Sequence, residues 1–195
     1  MKLLTGIRVL DLTNVLSGPF ATLHLALCGA EVIKIENPTD GDLARKLGCV
    51  PKYNQMLMGT SFLAQNANKK SVTLNLKDPE GKDILRRLVK SADVLVENFR
   101  PDVMTRLGLS YDSLKKINPR LIYCAISGFG QSGPDALKPA YDQIIQGLSG
   151  QHLAGLLPGA DNKAAIPQAV ASQYGWSDKG WYLGSRDSAR NRAVA

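Results

Sequence analysis

The chain has 195 residues, of which 44% are hydrophobic and 21% charged, and this is the composition of a folded globular protein rather than of a disordered one. Its formal net charge is +7, but basic residues occur at most two in a row and without interleaved aromatics, so we interpret the charge as solvated surface and disfavour a nucleic-acid-binding protein. No apolar run reaches about 18 residues, so we predict no membrane span and no contact with membranes.

The first predicted elements form a strand–helix–strand unit. Residues 7–13 (IRVLDLT) are apolar and predict a buried strand. A helix follows, with Ser17 as its cap, Pro19 in its first turn and Gly29 at its end. Residues 31–36 (EVIKIE) predict a second strand. Such a unit favours a parallel strand pair with a right-handed crossover.

The next segment begins without a clear pattern. Residues 37–70 are polar and lack periodicity, so we predict a long loop with one short helix, and loops of that length are often functional. Residues 71–77 (SVTLNLK) alternate with period two, which predicts a strand. Asp78 then caps a helix that has Pro79 at its first position.

The remaining elements continue the alternation of strands and helices. Residues 93–99 predict a strand, and two short helices broken at Gly108 follow. Residues 121–127 predict another strand and residues 141–150 a further helix. This alternation is typical of an α/β fold with a doubly wound, Rossmann-like, mostly parallel sheet.

A glycine-rich loop follows the strand at residues 121–127. Gly128, Gly130 and Gly133 spell G-x-G-x-x-G, the pattern of dinucleotide-binding loops. That function also requires a helix start directly after the loop, whereas PDALKPAYD with its two prolines follows here. We therefore do not predict a nicotinamide dinucleotide site, although glycines let a ligand approach backbone N–H groups.

Cysteine and histidine positions indicate no metal site. Cys28, Cys49 and Cys124 form no C-x-x-C pair, and no cluster with the two histidines has metal-ligand spacing. Cys28 and Cys124 lie in apolar runs, so we predict that they are buried free thiols. Free thiols are typical of a reducing compartment.

Three longer blocks together resemble the class III CoA-transferase family, which includes formyl-CoA and carnitine CoA-transferases and the 2-methylacyl-CoA racemases. The blocks are GIRVLDLTNVLSGPFATLHLALCGAEVIKIENPTDGD, NANKKSVTLNLKDPEGKDILRRLVKSADVLVENFRPDVMTRLGLSYDSLKKINPRLIYCAISGFGQSGP and PAYDQIIQGLSG, over roughly residues 4–170. The resemblance implies an enzyme that exchanges CoA between an acyl-CoA and a free carboxylic acid. It also implies a cytoplasmic protein and an interlocked homodimer.

The resemblance implies a set of contacts to CoA, the substrate, and no permanently bound cofactor or metal. These positions are Leu16, Ser17, Asn37, Leu74, Asn75, Lys77, Asn98, Phe99, Arg106 and Tyr141, with Gly128 and Gly130 in a loop close to the acyl-CoA site. Lys77 and Arg106 are suited to neutralise the phosphates of CoA. From the residues alone, we favour a simple surface charge as the explanation of both Lys77, before a helix, and Arg106, on a solvated helix.

Two positions distinguish the possible activities. The racemases that the chain resembles have histidine where this chain has Tyr141, and neutral tyrosine is a poor proton-transfer partner near pH 7. This favours a transferase, with an acyl-CoA racemase as an alternative. The transferases use an aspartate nucleophile, and Ser172 occupies that position here without a nearby histidine to activate it.

The last residues differ from the resembled family. We assign residues 1–171 to an incomplete large domain and residues 172–195 to a divergent, irregular tail that contains Trp176 and Trp181. A truncated or frame-shifted product explains such a tail. A non-catalytic acyl-CoA-binding fragment or dimerisation partner is the alternative, and the sequence does not identify the acyl group or the acceptor acid.

Overall fold

A computed structural model describes residues 2–141 and residue 144 of the chain. These residues belong to two compact units, one that ends at Ala125 and one that begins at Ile126. Most of the helix predicted at residues 141–150 and all of the tail at residues 172–195 lie outside the described residues.

The first unit is a five-stranded parallel sheet with helices between its strands. The strands are β1 (Arg8–Asp11), β2 (Glu31–Glu36), β3 (Lys70–Thr73), β4 (Val94–Glu97) and β5 (Ile122–Ala125). The helices are α1 (Ser17–Leu27), α2 (Pro51–Gln55), α3 (Thr60–Asn66), α4 (Pro79–Val89), α5 (Val103–Arg106) and α6 (Tyr111–Lys115), with a 3-10 helix at Leu43–Lys46. The predicted α/β fold with a doubly wound sheet is confirmed.

The strand order places a topological switch point in the middle of the sheet. The order is β3-β2-β1-β4-β5, and every neighbouring pair is parallel. From β1 the chain adds β2 and β3 on one side, and then β4 and β5 on the other. The loops after β1 and β4 therefore lead away from each other, which opens a crevice at the carboxyl ends of these two strands.

The core lies between the sheet and α4 to α6. Leu10 of β1 and Leu95 of β4 are fully buried, as are Leu85, Leu109 and Leu114 from the covering segments. Each such leucine contributes roughly 2 kcal/mol through burial of its side chain. The predicted cap of α4 is confirmed, since Asp78 accepts a hydrogen bond from the N–H of Glu80 at 3.0 Å.

Between β2 and α4, one prediction is wrong and another is confirmed only in part. Residues 37–70 contain the 3-10 helix, α2 and α3 rather than one short helix in a loop. These helices are too short to show a periodic pattern, and α2 has no buried residue. The predicted strand at residues 71–77 ends at Thr73, because α4 packs on the turn that follows: a Cβ on Gly81 would meet the carbonyl oxygen of Asn75 at 2.1 Å.

Two local predictions around α1 are also wrong. Ser17 is the first residue of the helix rather than its cap, and Leu16 at the cap position makes no side-chain hydrogen bond. Cys28 is exposed rather than buried, because it follows the last turn of α1, and Cys124 is half-buried. Gly29 ends the helix as predicted, with a φ of 105° that favours glycine.

The described part of the second unit consists mainly of turns and bends. Gly130 and Gly133 have φ values of 83° and 103°, where glycine is favoured. No helix begins between residues 126 and 141. The expectation that the G-x-G-x-x-G pattern does not open a helix is therefore confirmed.

Candidate functional site

The structure brings most of the predicted contact residues of the first unit to one edge of the sheet. They follow the carboxyl ends of four adjacent strands: Leu16 and Ser17 after β1, Asn37 after β2, Leu74, Asn75 and Lys77 after β3, and Asn98 and Phe99 after β4. Because the carboxyl ends of parallel strands lie at a common edge of the sheet, these eight residues follow strand ends on the side of the sheet where the switch-point crevice opens. Arg106 is the last residue of α5, which follows β4.

The predicted contacts differ in which atoms they can offer to a ligand. The side chain of Leu74 is 7% exposed and packs in the core, so only its backbone can reach a ligand. The side-chain oxygens of Asn37 and Asn75 accept hydrogen bonds from the backbone N–H groups of Thr39 and Lys77 at 3.0 and 3.1 Å. Both asparagines are exposed, and their amide NH₂ groups remain as donors.

The two predicted cations are both on the surface. Lys77 is exposed directly before α4. Arg106 is exposed too, and its Nε lies 3.1 Å from a carboxylate oxygen of Asp102 one turn earlier. An exposed pair of this kind contributes little to stability, so the guanidinium of Arg106 is available to an anion.

Asn98 joins the two loops that border the switch point. Its side-chain NH₂ donates to the carbonyl of Asn14 at 2.8 Å, and its side-chain oxygen accepts from the N–H of Asn14 at 2.8 Å. The side-chain amide of Asn98 therefore bonds to the β1–α1 loop. Its remaining hydrogen-bonding capacity is one N–H and one lone pair.

A buried charge cluster lies beneath the first turn of α1. The ammonium of Lys69 pairs with Asp11 at 3.0 Å and donates to the hydroxyl of Thr22 and the carbonyl of Pro19, both at 2.8 Å. Burial lowers the pKa of Lys69 to about 8, against the opposing effect of Asp11. Burial by itself raises the pKa of Asp11, but Lys34, Lys69 and two threonine hydroxyls outweigh it and hold the pKa below its usual value.

A second buried carboxylate lies at the end of β4. Glu97 accepts a hydrogen bond from the N–H of Phe99 at 2.8 Å and lies 3.4 Å from the hydroxyl of Tyr123. Burial raises the pKa of Glu97 to about 7, and the hydrogen bonds only partly offset this. Glu97 directly precedes two predicted ligand contacts, but sequence reasoning did not identify it. The feature that could have identified it is a charged residue at the end of the otherwise apolar strand VLVE.

The other predicted positions belong to the second unit or lie outside the described residues. Gly128 is half-buried, Gly130 is buried and Tyr141 is 65% exposed. Ser172 lies outside the described residues. Within residues 2–141, no group of three or more His, Cys, Asp or Glu side chains is arranged to hold a metal ion, and no helix is long and apolar enough to cross a membrane.

The chain matches a known protein family. The family model described as CoA-transferase family III matches residues 4–184, which is most of the chain. The chain is 45% identical over 172 residues to succinate–glutarate CoA-transferase from Agrobacterium fabrum, a match that covers 85% of this chain and 42% of the relative. It is 51% identical over 153 residues to acetyl-CoA:oxalate CoA-transferase from Acetobacter aceti, covering 78% of this chain and 38% of the relative.

Solved structures agree with these sequence matches. A hypothetical protein from Mycobacterium tuberculosis superposes with a TM-score of 0.71 at 40% identity, over 77% of this chain and 40% of that one. A CAIB/BAIF family protein from Brucella suis superposes with a TM-score of 0.70 at 41% identity, over 76% of this chain and 39% of that one. The chain thus spans about two fifths of the length of the relatives that it matches.

Proposed function

Because the chain belongs to CoA-transferase family III, we propose that it binds coenzyme A, as an acyl-CoA substrate, at the carboxyl ends of β1 to β4. The reaction that we propose is the exchange of CoA between an acyl-CoA and a free carboxylic acid. One observation carries the proposal: contacts inferred from sequence motifs far apart in the chain meet at one edge of the sheet, at its switch point.

The described residues supply the chemistry that CoA binding needs. Lys77 and Arg106 are exposed cations that can neutralise phosphates. The first turn of α1 contains no acidic residue, and its first N–H groups have no partners within the helix, so it favours an anion or a polar group. The NH₂ groups of Asn37 and Asn75 can donate to the amide carbonyls of the pantetheine arm.

We propose a dicarboxylic acid as the acceptor class. The relatives at 41–51% identity include proteins named as succinate–glutarate, acetyl-CoA:oxalate and succinyl-CoA–L-malate CoA-transferases. The free acids in these names, which are succinate, glutarate, oxalate and malate, all carry two carboxylates. An acceptor with a second carboxylate needs a cationic or hydrogen-bonding partner in the site in addition to the groups that hold CoA.

We further propose a cytoplasmic homodimer without a resident cofactor or metal. The reaction exchanges a thioester for a carboxylate and transfers no electrons, so it requires no redox group. In the proposed reaction a carboxylate nucleophile attacks the thioester carbonyl, the carbon–sulfur bond breaks, CoA thiolate leaves and an acyl anhydride forms. The resemblance places this nucleophile at residue 172, where the chain has serine, so CoA binding and transfer are best tested separately.

Calorimetric titration of the protein with CoA tests the binding step. We expect binding that weakens as salt is added, because phosphate neutralisation is electrostatic. Lys77→Ala is expected to weaken binding about tenfold, the size of one lost charge-assisted hydrogen bond. Lys90→Ala is the matched control, because Lys90 is an exposed lysine directly after α4 while Lys77 lies before that helix. Equal effects of the two substitutions, or no binding at all, would contradict the proposed site.

A further inference from the structure

The loop between β1 and α1 contains a strained residue beside the proposed ligand contacts. Val15 has a φ of 68°, in the left-handed region of the backbone. For a β-branched residue this conformation is a genuine outlier, because the side chain crowds its own backbone. Such strain persists only where the surroundings hold the residue in place. Leu16 and Ser17 follow Val15 directly, so whatever holds Val15 also fixes them.

A buried ion pair holds this loop at two points. The N–H of Val15 donates to Oδ1 of Asp42 at 2.9 Å, and Oδ2 of Asp42 lies 2.9 Å from the ammonium of Lys34. That ammonium also donates to the carbonyl of Thr13 at 2.7 Å. Both charged side chains are at most 1% exposed. The pair thus contacts the loop on each side of Asn14.

Further contacts fix the pair and the intervening residue. Oδ1 of Asp42 accepts a second hydrogen bond, from the N–H of Ala44 at 2.9 Å, so Asp42 also caps the 3-10 helix. The backbone of Asn14, between the two held points, is bonded in both directions to Asn98. Backbone groups of three successive residues are therefore held by side chains from β2, the cap of the 3-10 helix and the loop after β4.

We infer that Asp42 and Lys34 are positioning residues, which hold Val15 in its left-handed conformation and thereby set the orientation of Leu16 and Ser17 for CoA. This inference rests on the proposed CoA site. Neither charged side chain is assigned a contact with CoA, and both are too buried to make one. Their role is to fix the loop before the ligand arrives, which avoids the entropy cost of ordering it on binding.

The isosteric substitution Asp42→Asn separates this role from packing. The carboxylate of Asp42 has one oxygen for the N–H groups of Val15 and Ala44 and another for Lys34, whereas a carboxamide has only one oxygen. We expect that oxygen to turn to Lys34, because a buried ammonium without a partner costs more free energy than backbone N–H groups without one. The NH₂ group then faces the N–H groups of Val15 and Ala44, so that donors oppose donors. Val15 thereby loses its hydrogen bond with almost no change in side-chain volume.

The matched control is Asp93→Asn. Asp93 also accepts a hydrogen bond from a backbone N–H, that of Arg8 at 2.8 Å, but it does so at the amino ends of β1 and β4. Calorimetry is expected to show CoA binding about tenfold weaker for Asp42→Asn, as for one lost hydrogen bond to a charged group, and within about twofold of the original for Asp93→Asn. Val89→Ala, in the buried last turn of α4, calibrates how much binding changes with stability alone.

A rescue experiment gives a result that a merely structural role would not produce. Glycine adopts the left-handed conformation without strain. In the Val15→Gly protein, adding Asp42→Asn is therefore expected to weaken CoA binding much less than it does in the original chain. If Asp42→Asn does not fold alone, Lys34→Arg replaces it, because a planar guanidinium cannot occupy the position of the ammonium between Thr13 and Asp42.

Amide hydrogen exchange makes the outcome independent of CoA. We expect the N–H of Val15 to be protected in the original chain and in Asp93→Asn, and to exchange faster in Asp42→Asn. If the N–H of Val15 is equally protected in Asp42→Asn, the inference is overturned. The inference is also overturned if Asp42→Asn weakens CoA binding no more than Val89→Ala does, when the two variants have lost the same thermal stability. If the N–H of Val15 exchanges faster in Asp42→Asn but the original chain does not bind CoA, the proposed CoA site is contradicted. The role of Asp42 in fixing the conformation of the loop is then still confirmed.

Discussion

Lys69 and Asp11 form an ion pair of 3.0 Å in which both side chains are at most 1% exposed. The pair joins β1 to the segment before β3 and lies under the first turn of α1, whose carbonyl at Pro19 also accepts from Lys69. Because it fixes α1 to the sheet, the pair supports the edge where the proposed CoA contacts meet.

We expect Lys69→Met to destabilise the fold by about 3 kcal/mol or more, because it leaves the buried carboxylate of Asp11 with one cation fewer and removes the donor to Thr22. Lys70→Met is the matched control, since the adjacent lysine pairs with Glu31 but its side chain is 71% exposed. That substitution is expected to cost less than about 1 kcal/mol. Urea unfolding of both variants measures the difference, and equal losses would contradict the assigned role of the buried pair.

Glu97 is expected to make stability depend on pH. Its pKa is about 7 in the folded protein against 4.5 in the unfolded chain, so the folded state binds the extra proton between these values. The resulting stabilisation is fully present below pH 4.5 and is lost as the pH rises through about 7. A shift of this size corresponds to up to about 3 kcal/mol.

Glu97→Gln tests this dependence because glutamine has the same shape and no charge. We expect the variant to be more stable than the original chain above pH 7 and to lack the decline between pH 4.5 and 7. Denaturant unfolding at a series of pH values measures both. A decline of the same size in the variant would assign the pH dependence to other groups.

The sequence predicts the strands of the sheet well and its buried charges poorly. β1, β2, β4 and β5 all lie within predicted strands, because apolar runs bounded by turn residues are strong local signals. Lys34 is an example of a buried charge that the sequence does not predict. It is a charge inside the run EVIKIE, and nothing local shows that Asp42 and the carbonyl of Thr13 satisfy it.

In the candidate site, too, the sequence predicts some features and not others. The sequence places the contact residues after strands, and the parallel order of those strands then brings them to one edge. It does not show that Asn98 bonds to Asn14, because these residues are 84 positions apart in the chain. Nor does it show that Val15 has a positive φ, because the residue that holds its N–H, Asp42, lies 27 positions later. The short helices between β2 and β3 were missed for a simpler reason, since fewer than two turns cannot display a 3.6-residue period.

Asp102 gives a prediction about backbone conformation near Arg106. Its φ is 75°, where a side chain is strained, and its carboxylate lies 3.1 Å from Nε of Arg106. We compare Asp102→Gly with Asp102→Ala, because both remove the carboxylate and only glycine also removes the strain. Glycine is expected to be the more stable by about 1 kcal/mol. Equal stabilities in thermal unfolding would contradict the strain.

The same two variants also test the role of Arg106. Removing the carboxylate of Asp102 leaves the guanidinium with more capacity for phosphate, so we expect both variants to bind CoA about two- to threefold more tightly. Both substitutions remove the carboxylate, but they differ in stability. If the affinity for CoA differs between the two variants in the same order as their stability, the change in affinity is due to the backbone and not to the lost carboxylate. Weaker CoA binding in both variants would argue against a phosphate contact at Arg106.

Ser172→Asp tests the proposed transfer chemistry. A serine hydroxyl without a base is a weak nucleophile, whereas an ionised carboxylate can attack a thioester and form an acyl anhydride. We expect the variant to exchange CoA between an acyl-CoA and a dicarboxylic acid at least about a hundredfold faster than the original chain, in line with the gain from an activated nucleophile. Ala171→Asp is the control, because it adds the same charge one position away.

Trapping of the intermediate identifies the residue that reacts. Hydroxylamine cleaves an acyl anhydride, and peptide mass spectrometry then shows a hydroxamate at the position that carried the acyl group. For Ser172→Asp we expect this adduct at residue 172, with none at residue 171 in Ala171→Asp. Exchange by the original chain at the rate of Ser172→Asp would instead show that another carboxylate is the nucleophile. CoA binding without exchange in either protein would leave binding as the function that the sheet edge supports.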